Sequence, residues 1–444
     1  MIWRVLRESH QRLCEGMLKY SLGVDCLSAS ARERQDTGKF GERRIMIFDS
    51  ESVFEENVIT VLKQHGWKDG VLRYPTERDL LDNWKDILYR NNNDIDRLGK
   101  YPLTDGEMTQ IIEQIETLRT PLALNSFVNG RTVSITRDNK EDVAHFGKEV
   151  SLYIYDRKEI AGGKSTYQIA QQPVYPAKNK MLNSRRGDLV LLINGMPLIH
   201  IELKKSGIPV SQATNQIEKY AHEGVFTGLF RLVQIFVAMN PDDAVYFANP
   251  GVDKFNPSYY FHWADYNNEP ICGGQNPGKD EWKLFIGGTS GTAGLLSIPM
   301  AHQLIGFYTI ADSADGCLKV LRSYQYIAAN AISDVVRKCD WEQRPATPGR
   351  PGGYVWHTTG SGKTMTSFKS AQLIADSHDA DKVVFLMDRI ELGTQSLKEY
   401  RSFADSETEV QGTENTGVLR DKLNSTNVND TLIVTSIQKM SNVK

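Results

Sequence analysis

The chain has no apolar run long enough to cross a membrane, which takes roughly 20 residues. Its opening, MIWRVLRESHQRLC, carries charges where a secretory signal needs an apolar core. Cysteine is scarce: five in 444 residues, at 14, 26, 272, 317 and 339, with no Cys-x-x-Cys. That spacing argues against a structural zinc site or a disulfide framework, and for a reducing, cytoplasmic setting without membrane association. Charge of one sign is missing too. A net charge of −3 gives no global nucleic-acid signal, so any polyanion contact has to come from local patches. There is no internal repeat and no low-complexity tract. What remains is ordinary for a globular chain: 40% hydrophobic and 24% charged residues. At roughly 150 residues per domain, the length implies two to three domains.

Periodicity divides the chain. Residues 1–44 are polar, mixed and unassigned. From 45 to 265 the pattern is mixed α and β. ESVFEENVITVLKQ has Phe54, Val58, Ile59, Val61 and Leu62 at helical spacing, with Gly66 as a stop. DGEMTQIIEQIETL and SQATNQIEKYAHEG also read as helices. VSLYIYD, STYQIAQQPVY, DLVLLI, PLIHIELK and LVQIFVAM read as strands. Residues 266–300 include GGQNPGKD and IGGTSGTAG, a glycine density expected of a linker. From 301 to 444 strands and helices alternate, which predicts a parallel sheet. A helix over LKVLRSYQYIAANAISDVVRK is followed by a short strand YVW and the loop HTTGSGKT. Helix MTSFKSAQLIAD, strand KVVFLMD, a helix near LKEYRSF and strand TLIVTS complete this part.

Two stretches carry chemistry. In TTGSGKT, Gly360 and Gly362 let the backbone curl so that its N–H groups, with those of Thr359 and Ser361, point inward at phosphate. Lys363 would reach the β- and γ-phosphates of a nucleotide and Thr364 would ligate Mg²⁺. The following helix adds a dipole that favours anions. His357 stands where the full consensus has glycine.

The second stretch is GDLVLLINGMPLIHIELKKSG, from Gly187 to Gly207. Two apolar strands flank an Asn-Gly turn, with Asp188 at one end and Glu202-Leu203-Lys204 at the other. Charges beside apolar strands are costly unless solvated, paired or bound to a metal. A solvated strand end is one reading. The other is a site: Asp with Glu-x-Lys on the next strand resembles the nuclease core written PD…(D/E)-x-K. Asp188 and Glu202 would hold Mg²⁺ through hard oxygen ligands. Lys204, two residues from Glu202, shares its strand face and would position water or neutralise phosphate. Gly187 replaces the usual proline, which the chemistry does not require.

The strands impose a geometric condition. A two-residue Asn194-Gly195 loop, the commonest kind, pairs residue 193 with 196 and sets Asp188 against Ile201. Asp188 would then point away from Glu202, because directly opposed residues share a face. A joint site therefore demands a three-residue loop or a bulge elsewhere in the hairpin.

Neighbouring motifs widen the resemblance. QIEKY places Gln216 and Tyr220 on one helix face, as in the Q-x-x-x-Y motif of RecB-like nucleases. Glu55 lies where such nucleases carry a helical acid, with Glu56 as an alternative. Lys178, Lys180, Arg185 and Arg186 precede Asp188 and either offset the carboxylates' repulsion of DNA or form a solvated loop. A nuclease core upstream of an ATPase core is a restrictive order. From about Glu51 onward the chain resembles the N-terminal part of the restriction (motor) subunit of type I restriction-modification enzymes. RSYQY, VWHTTGSGKT, MDRIELGTQ and VTSIQKM carry the similarity with the hairpin and QIEKY, and His357 is normal for that family.

The resemblance implies an α/β restriction-endonuclease-like domain followed by the first RecA-like lobe of a superfamily-two helicase. It implies an ATP-dependent endonuclease using Mg²⁺ and ATP that cuts double-stranded DNA after translocation. Methyltransferase and specificity subunits would be partners, with S-adenosylmethionine needed only by them. It also implies that Arg322 and Gln325 recognise adenine, that Asp388 and Arg389 form a helicase motif, and that Thr435, Ser436 and Gln438 lie near the DNA backbone. No Asp-Glu-x-(Asp/His) box precedes Lys444, so a truncated chain that binds ATP without turning it over is the expectation. A nuclease–helicase fusion of DNA repair and a non-enzymatic DNA-binding fragment are the rival readings.

Overall fold

The computed structural model describes residues 48–160, 162–175, 185–274, 280–338, 353–387, 390–404 and 410–443, with side chains of 390–394 excepted. Residues 1–44, Lys178, Lys180, Asp388 and Arg389 lie outside that set.

The first part runs α1 (Glu51–Gln64), β1 (Val71–Arg73), α2 (Glu77–Asn91), α3 (Asp105–Thr117), α4 (Pro121–Asn129), β2 (Thr132–Thr136), β3 (Glu149–Tyr153) and β4 (Tyr167–Gln171). It continues through β5 (Leu189–Ile193), β6 (Met196–Leu203), α5 (Val210–Glu223), β7 (Ile235–Met239) and β8 (Ala244–Ala248). Local chemistry sets the helix starts. Ser50 caps α1, and Thr76 and Thr104 form capping boxes with Asp79 and Glu107. A six-stranded mixed sheet in the order β1-β4-β5-β6-β7-β8 forms the centre, and a separate hairpin pairs β2 with β3. Strands β4 to β8 are almost wholly buried, so helices and loops cover both faces. Beside this sheet Arg137 is buried against Glu107 (2.6 Å) and Asp142 (3.0 Å).

The next elements are α6 (Glu281–Gly287), α7 (Met300–Gly306), β9 (Thr309–Asp312), β10 (Cys317–Val320) and α8 (Ser323–Lys338). They are followed by α9 (Lys363–Ser377), β11 (Val383–Met387), α10 (Ile390–Phe403), β12 (Val410–Gly412), α11 (Thr416–Asn424), β13 (Leu432–Ser436) and α12 (Ile437–Ser441). Strands β11, β13 and β12 form a parallel three-stranded sheet in that order, as the alternation predicts.

Three expectations need correction. The glycine-dense stretch 266–300 is not a bare connection over its described residues. Trp282, Phe285, Ile286, Leu295 and Leu296 are buried, and Trp282 packs edge-on against Phe54 with ring centroids 5.2 Å apart. Apolar side chains between the glycines outweigh the local flexibility. The helix expected from 318 begins at Ser323, because Cys317–Val320 pairs with β9. Tyr354–Trp356 is not a paired strand; Tyr354 and Trp356 are 78% and 72% exposed. A strand needs a ladder partner, and none among the described residues takes that place.

Candidate functional site

The hairpin decides whether the carboxylates meet. Asn194 (φ 52°) and Gly195 (φ 83°) make the two-residue turn, and Ile193 pairs with Met196. Taken alone, this would separate Asp188 from Glu202. The register then shifts between Leu191 and Leu192: Leu192 pairs with Pro197, but Leu191 pairs with Ile199. Leu198 is the extra residue, a β-bulge. Beyond it Val190 faces His200 and Leu189 faces Ile201, so Asp188 stands across from Glu202. The second of the two permitted solutions is the one adopted.

Around the hairpin end, the Leu203 N–H donates to Asp188 Oδ2 (2.7 Å) and aims that carboxyl inward. The Asp188 and Glu202 carboxyls lie near enough for the Glu202 charge to act on Asp188. Desolvation, then the Glu202 charge, pushes Asp188 well above the usual carboxylate range. Burial raises Glu202 to about 7 against the pull of Lys204. Two crowded carboxyls with raised pKa values are what a divalent cation would relieve. Glu202 Oε2 is buried without a hydrogen-bond partner, so the donor set fits a hard cation. Among the described residues, no three His, Cys, Asp or Glu side chains converge as a metal-binding group, so water or substrate would complete any coordination.

Lys204 is buried, with Nζ donating to the Leu203 carbonyl (2.8 Å) and 3.4 Å from Glu202 Oε1. The structure separates the two helical acids. Glu55 is buried, accepts from Gln171 Nε2 (2.6 Å), and contributes to the raised pKa of Asp188. Burial raises Glu55's own pKa. Glu56 instead pairs with Arg73 at 2.7 Å on the surface. Gln216 Nε2 donates to the Tyr220 hydroxyl (2.7 Å), which donates to the Arg186 carbonyl (2.9 Å) just before Asp188. Burial, then the Glu202 charge, lifts Tyr220 to about 12. Glu55, Gln216 and Tyr220 thus join Asp188, Glu202 and Lys204. Arg185 does not: it is held by Glu223 through two 2.9 Å bonds and is not a free cation for DNA.

One residue escaped the sequence reading. His200 is fully buried on β6, its Nδ1 2.9 Å from the Tyr175 hydroxyl and its Nε2 3.4 Å from Glu202 Oε2. Burial lowers it to about 4, so the ring is neutral. A histidine in an otherwise apolar strand, two residues from the acid, was the available signal.

The second site is the loop before α9. Gly360 (φ 80°) and Gly362 (φ 79°) take left-handed conformations that favour glycine. Gly362 caps α9, which starts at Lys363. The Lys363 ammonium folds back onto the Thr358 carbonyl (2.8 Å), and His357 Nδ1 lies 2.8 Å from Ser361 Oγ. Gln325 reaches the loop: its Nε2 lies 3.3 Å from the Ser361 carbonyl. Arg322 stacks 4.4 Å from the Phe261 ring centroid. Between them is a cavity of about 230 Å³ lined by Tyr259, Phe261, Arg322, Gln325, Gly360 and Met365, among others. Thr359 and Thr364 lie on the same loop and helix start. Thr435 and Ser436 are buried: Thr435 bonds Thr413 (2.7 Å) and Ser436 caps α12.

Residues 49–255 match the family described as type I restriction enzyme R protein N terminus. This part of the chain belongs to that family. Residues 324–444 match the SWI2/SNF2 ATPase family. The type I restriction enzyme SsaAORF53P endonuclease subunit of Staphylococcus saprophyticus is 32% identical over 404 residues, 89% of this chain and 37% of that protein. The SauMSSORF170P endonuclease subunit of Staphylococcus aureus is 33% identical over 398 residues, with the same two shares. The EcoprrI endonuclease subunit of Escherichia coli is 29% identical over 217 residues, 48% of this chain and 62% of that protein. The chain thus spans about 37% of the length of the two staphylococcal relatives. Among the described residues, no helix is long and apolar enough to cross a membrane.

Proposed function

We propose that the chain carries the nuclease and ATP phosphate-loop parts of a type I restriction enzyme's R subunit. Within the whole subunit, the nuclease part would make Mg²⁺-dependent cuts in foreign double-stranded DNA, coupled to ATP-driven translocation. Methyltransferase and specificity subunits would be its partners in the cytoplasm. The observation that carries the nuclease reading is the bulge at Leu198, which turns Asp188 toward Glu202 despite a two-residue turn.

Asp188 and Glu202 are the residues that would hold Mg²⁺. When bound, that ion neutralises charge developing on the scissile phosphate. The chain's own groups do the rest. The Lys204 ammonium, on the same strand face, orients the attacking water or binds a phosphate oxygen. Glu55 accepts a proton or a water at the edge of the pair, held by Gln171 and Gln172. Gln216 and Tyr220 fix the backbone at Arg186 and so the start of the Asp188 strand.

In the second part, a RecA-like first lobe, the backbone of residues 359–362 and Lys363 would bind ATP phosphates and Thr364 the accompanying Mg²⁺. Arg322 and Gln325 would border the adenine. Plasmid cleavage by the chain in Mg²⁺, compared with Asp188→Ala, tests the nuclease assignment. Cutting by wild type and none by the variant is expected. Equal cutting by both would defeat it.

A further inference from the structure

We propose that His200, held by Tyr175, positions the Glu202 carboxylate for its metal; the inference rests on the metal reading above.

Among the described residues, His200 Nε2 and Glu202 Oε2 are both buried side-chain polar atoms without a hydrogen-bond partner. They face each other at 3.4 Å. Buried polar groups without partners are costly, and here the two orphans are a potential donor and an acceptor. A shift of a few tenths of an ångström makes them a bond.

The other ring nitrogen fixes which role His200 takes. Tyr175 Oη lies 2.9 Å from Nδ1. With the tyrosine hydroxyl donating to Nδ1, a neutral imidazole carries its proton on Nε2, directed at Glu202. Histidine–carboxylate pairs behind metal ligands work in this way: the outer bond fixes the orientation of the inner group. The ring has little freedom to turn, since Phe226 and Phe236 pack against it with centroids at 5.4 and 6.0 Å.

Gly187 supplies an independent observation. A Cβ at this position would fall 2.9 Å from His200 Cε1 and closer still to the Tyr175 hydroxyl. The space beside the residue preceding Asp188 is therefore filled by the Tyr175–His200 pair. This accounts for glycine where the nuclease pattern has proline. Gly187, Tyr175 and His200 form one unit packed behind the two carboxylates.

Mn²⁺ binding to the full 444-residue chain, measured by calorimetry alongside thermal melts, tests this. Glu202→Gln is expected to abolish the site. His200→Leu should weaken Mn²⁺ about 10- to 100-fold with little change in melting temperature. Tyr175→Phe, which removes only the hydroxyl, should weaken it in the same direction. His200→Gln should recover most of the affinity, because its amide can accept from Tyr175 and donate to Glu202. Wild-type affinity in His200→Leu, with the site still lost in Glu202→Gln, would show that the ring only packs and would overturn the inference while leaving the metal reading intact. A loss equal in His200→Leu and His200→Gln that follows the melting temperature would overturn it as well. A wild-type chain with no Mn²⁺ site sensitive to Glu202→Gln would overturn both.

Discussion

Replacing Glu202 with Gln should stabilise the metal-free protein at neutral and alkaline pH. Glu202 is fully buried, and its pKa rises from 4.5 to about 7, chiefly through desolvation. A group whose folded-state pKa lies above its unfolded value binds its proton more tightly when folded. The stabilisation from that proton is complete below about pH 4.5 and is lost as pH rises through about 7. A shift of about 2.5 units at about 1.4 kcal/mol each makes the buried charge cost about 3 kcal/mol above pH 7. Glutamine has the same shape and no charge to bury, so the variant escapes that cost, which is already net of the attraction of Lys204 3.4 Å away. For a cooperative unit of about 200 residues, this corresponds to a melting-temperature gain of roughly 6–12 °C. The assay is a set of thermal melts from pH 4.5 to 8.5 with a chelator present. The variant and wild type should coincide at the acid end and separate as pH rises. Adding Mn²⁺ should raise only the wild type and narrow the gap. A gap independent of pH, or a wild type that gains on the variant toward alkaline pH, would refute the argument that the carboxylate is buried there at a net cost.

Three further outcomes are expected. Lys204→Ala should keep Mn²⁺ affinity but lose DNA cutting, since an ammonium cannot ligate a cation; calorimetry showing lost affinity would reverse the role assignment. Gly195→Ala should destabilise by about 1–3 kcal/mol, because the turn needs a positive φ and a Cβ would meet the Trp84 backbone at 2.9 Å; an unchanged denaturation midpoint would contradict this. Gly362→Ala should weaken binding of a fluorescent ATP analogue at least about tenfold, a loss of about 1.4 kcal/mol, by straining the α9 cap and displacing Gln325; unaltered binding would remove the loop from nucleotide recognition.

The phosphate loop was legible in the sequence because everything it needs is local. Two glycines, a lysine and a helix start within seven residues specify a curled backbone through φ preferences alone. The helices were legible for a similar reason, with capping residues and apolar periodicity in one continuous stretch. Tyr354–Trp356 failed as a strand because a strand exists only by pairing, and pairing depends on residues far along the chain. The stretch 266–300 differs from a plain linker because glycine content says nothing of distant partners such as Phe48 and Phe54, against which Trp282 packs.

The carboxylate site shows the division most clearly. The sequence determined that Asp188, Glu202 and Lys204 sit at the ends of two strands joined by Asn-Gly, and that this turn prefers two residues. It also determined that such a turn alone would place the carboxylates on opposite faces. It could not place the bulge. Strands β5 and β6 are buried on both faces, so they lack the alternation of apolar and polar residues that normally fixes register. With Leu, Ile and Val equally suited to either face, the choice fell to packing across the sheet. Leu198 takes up the extra position and is itself fully buried. Pairing of β6 with β7, and of β5 with β4, holds the strands in the register that results. The carboxylates meet because the surrounding sheet accommodates one residue that the hairpin by itself would not require.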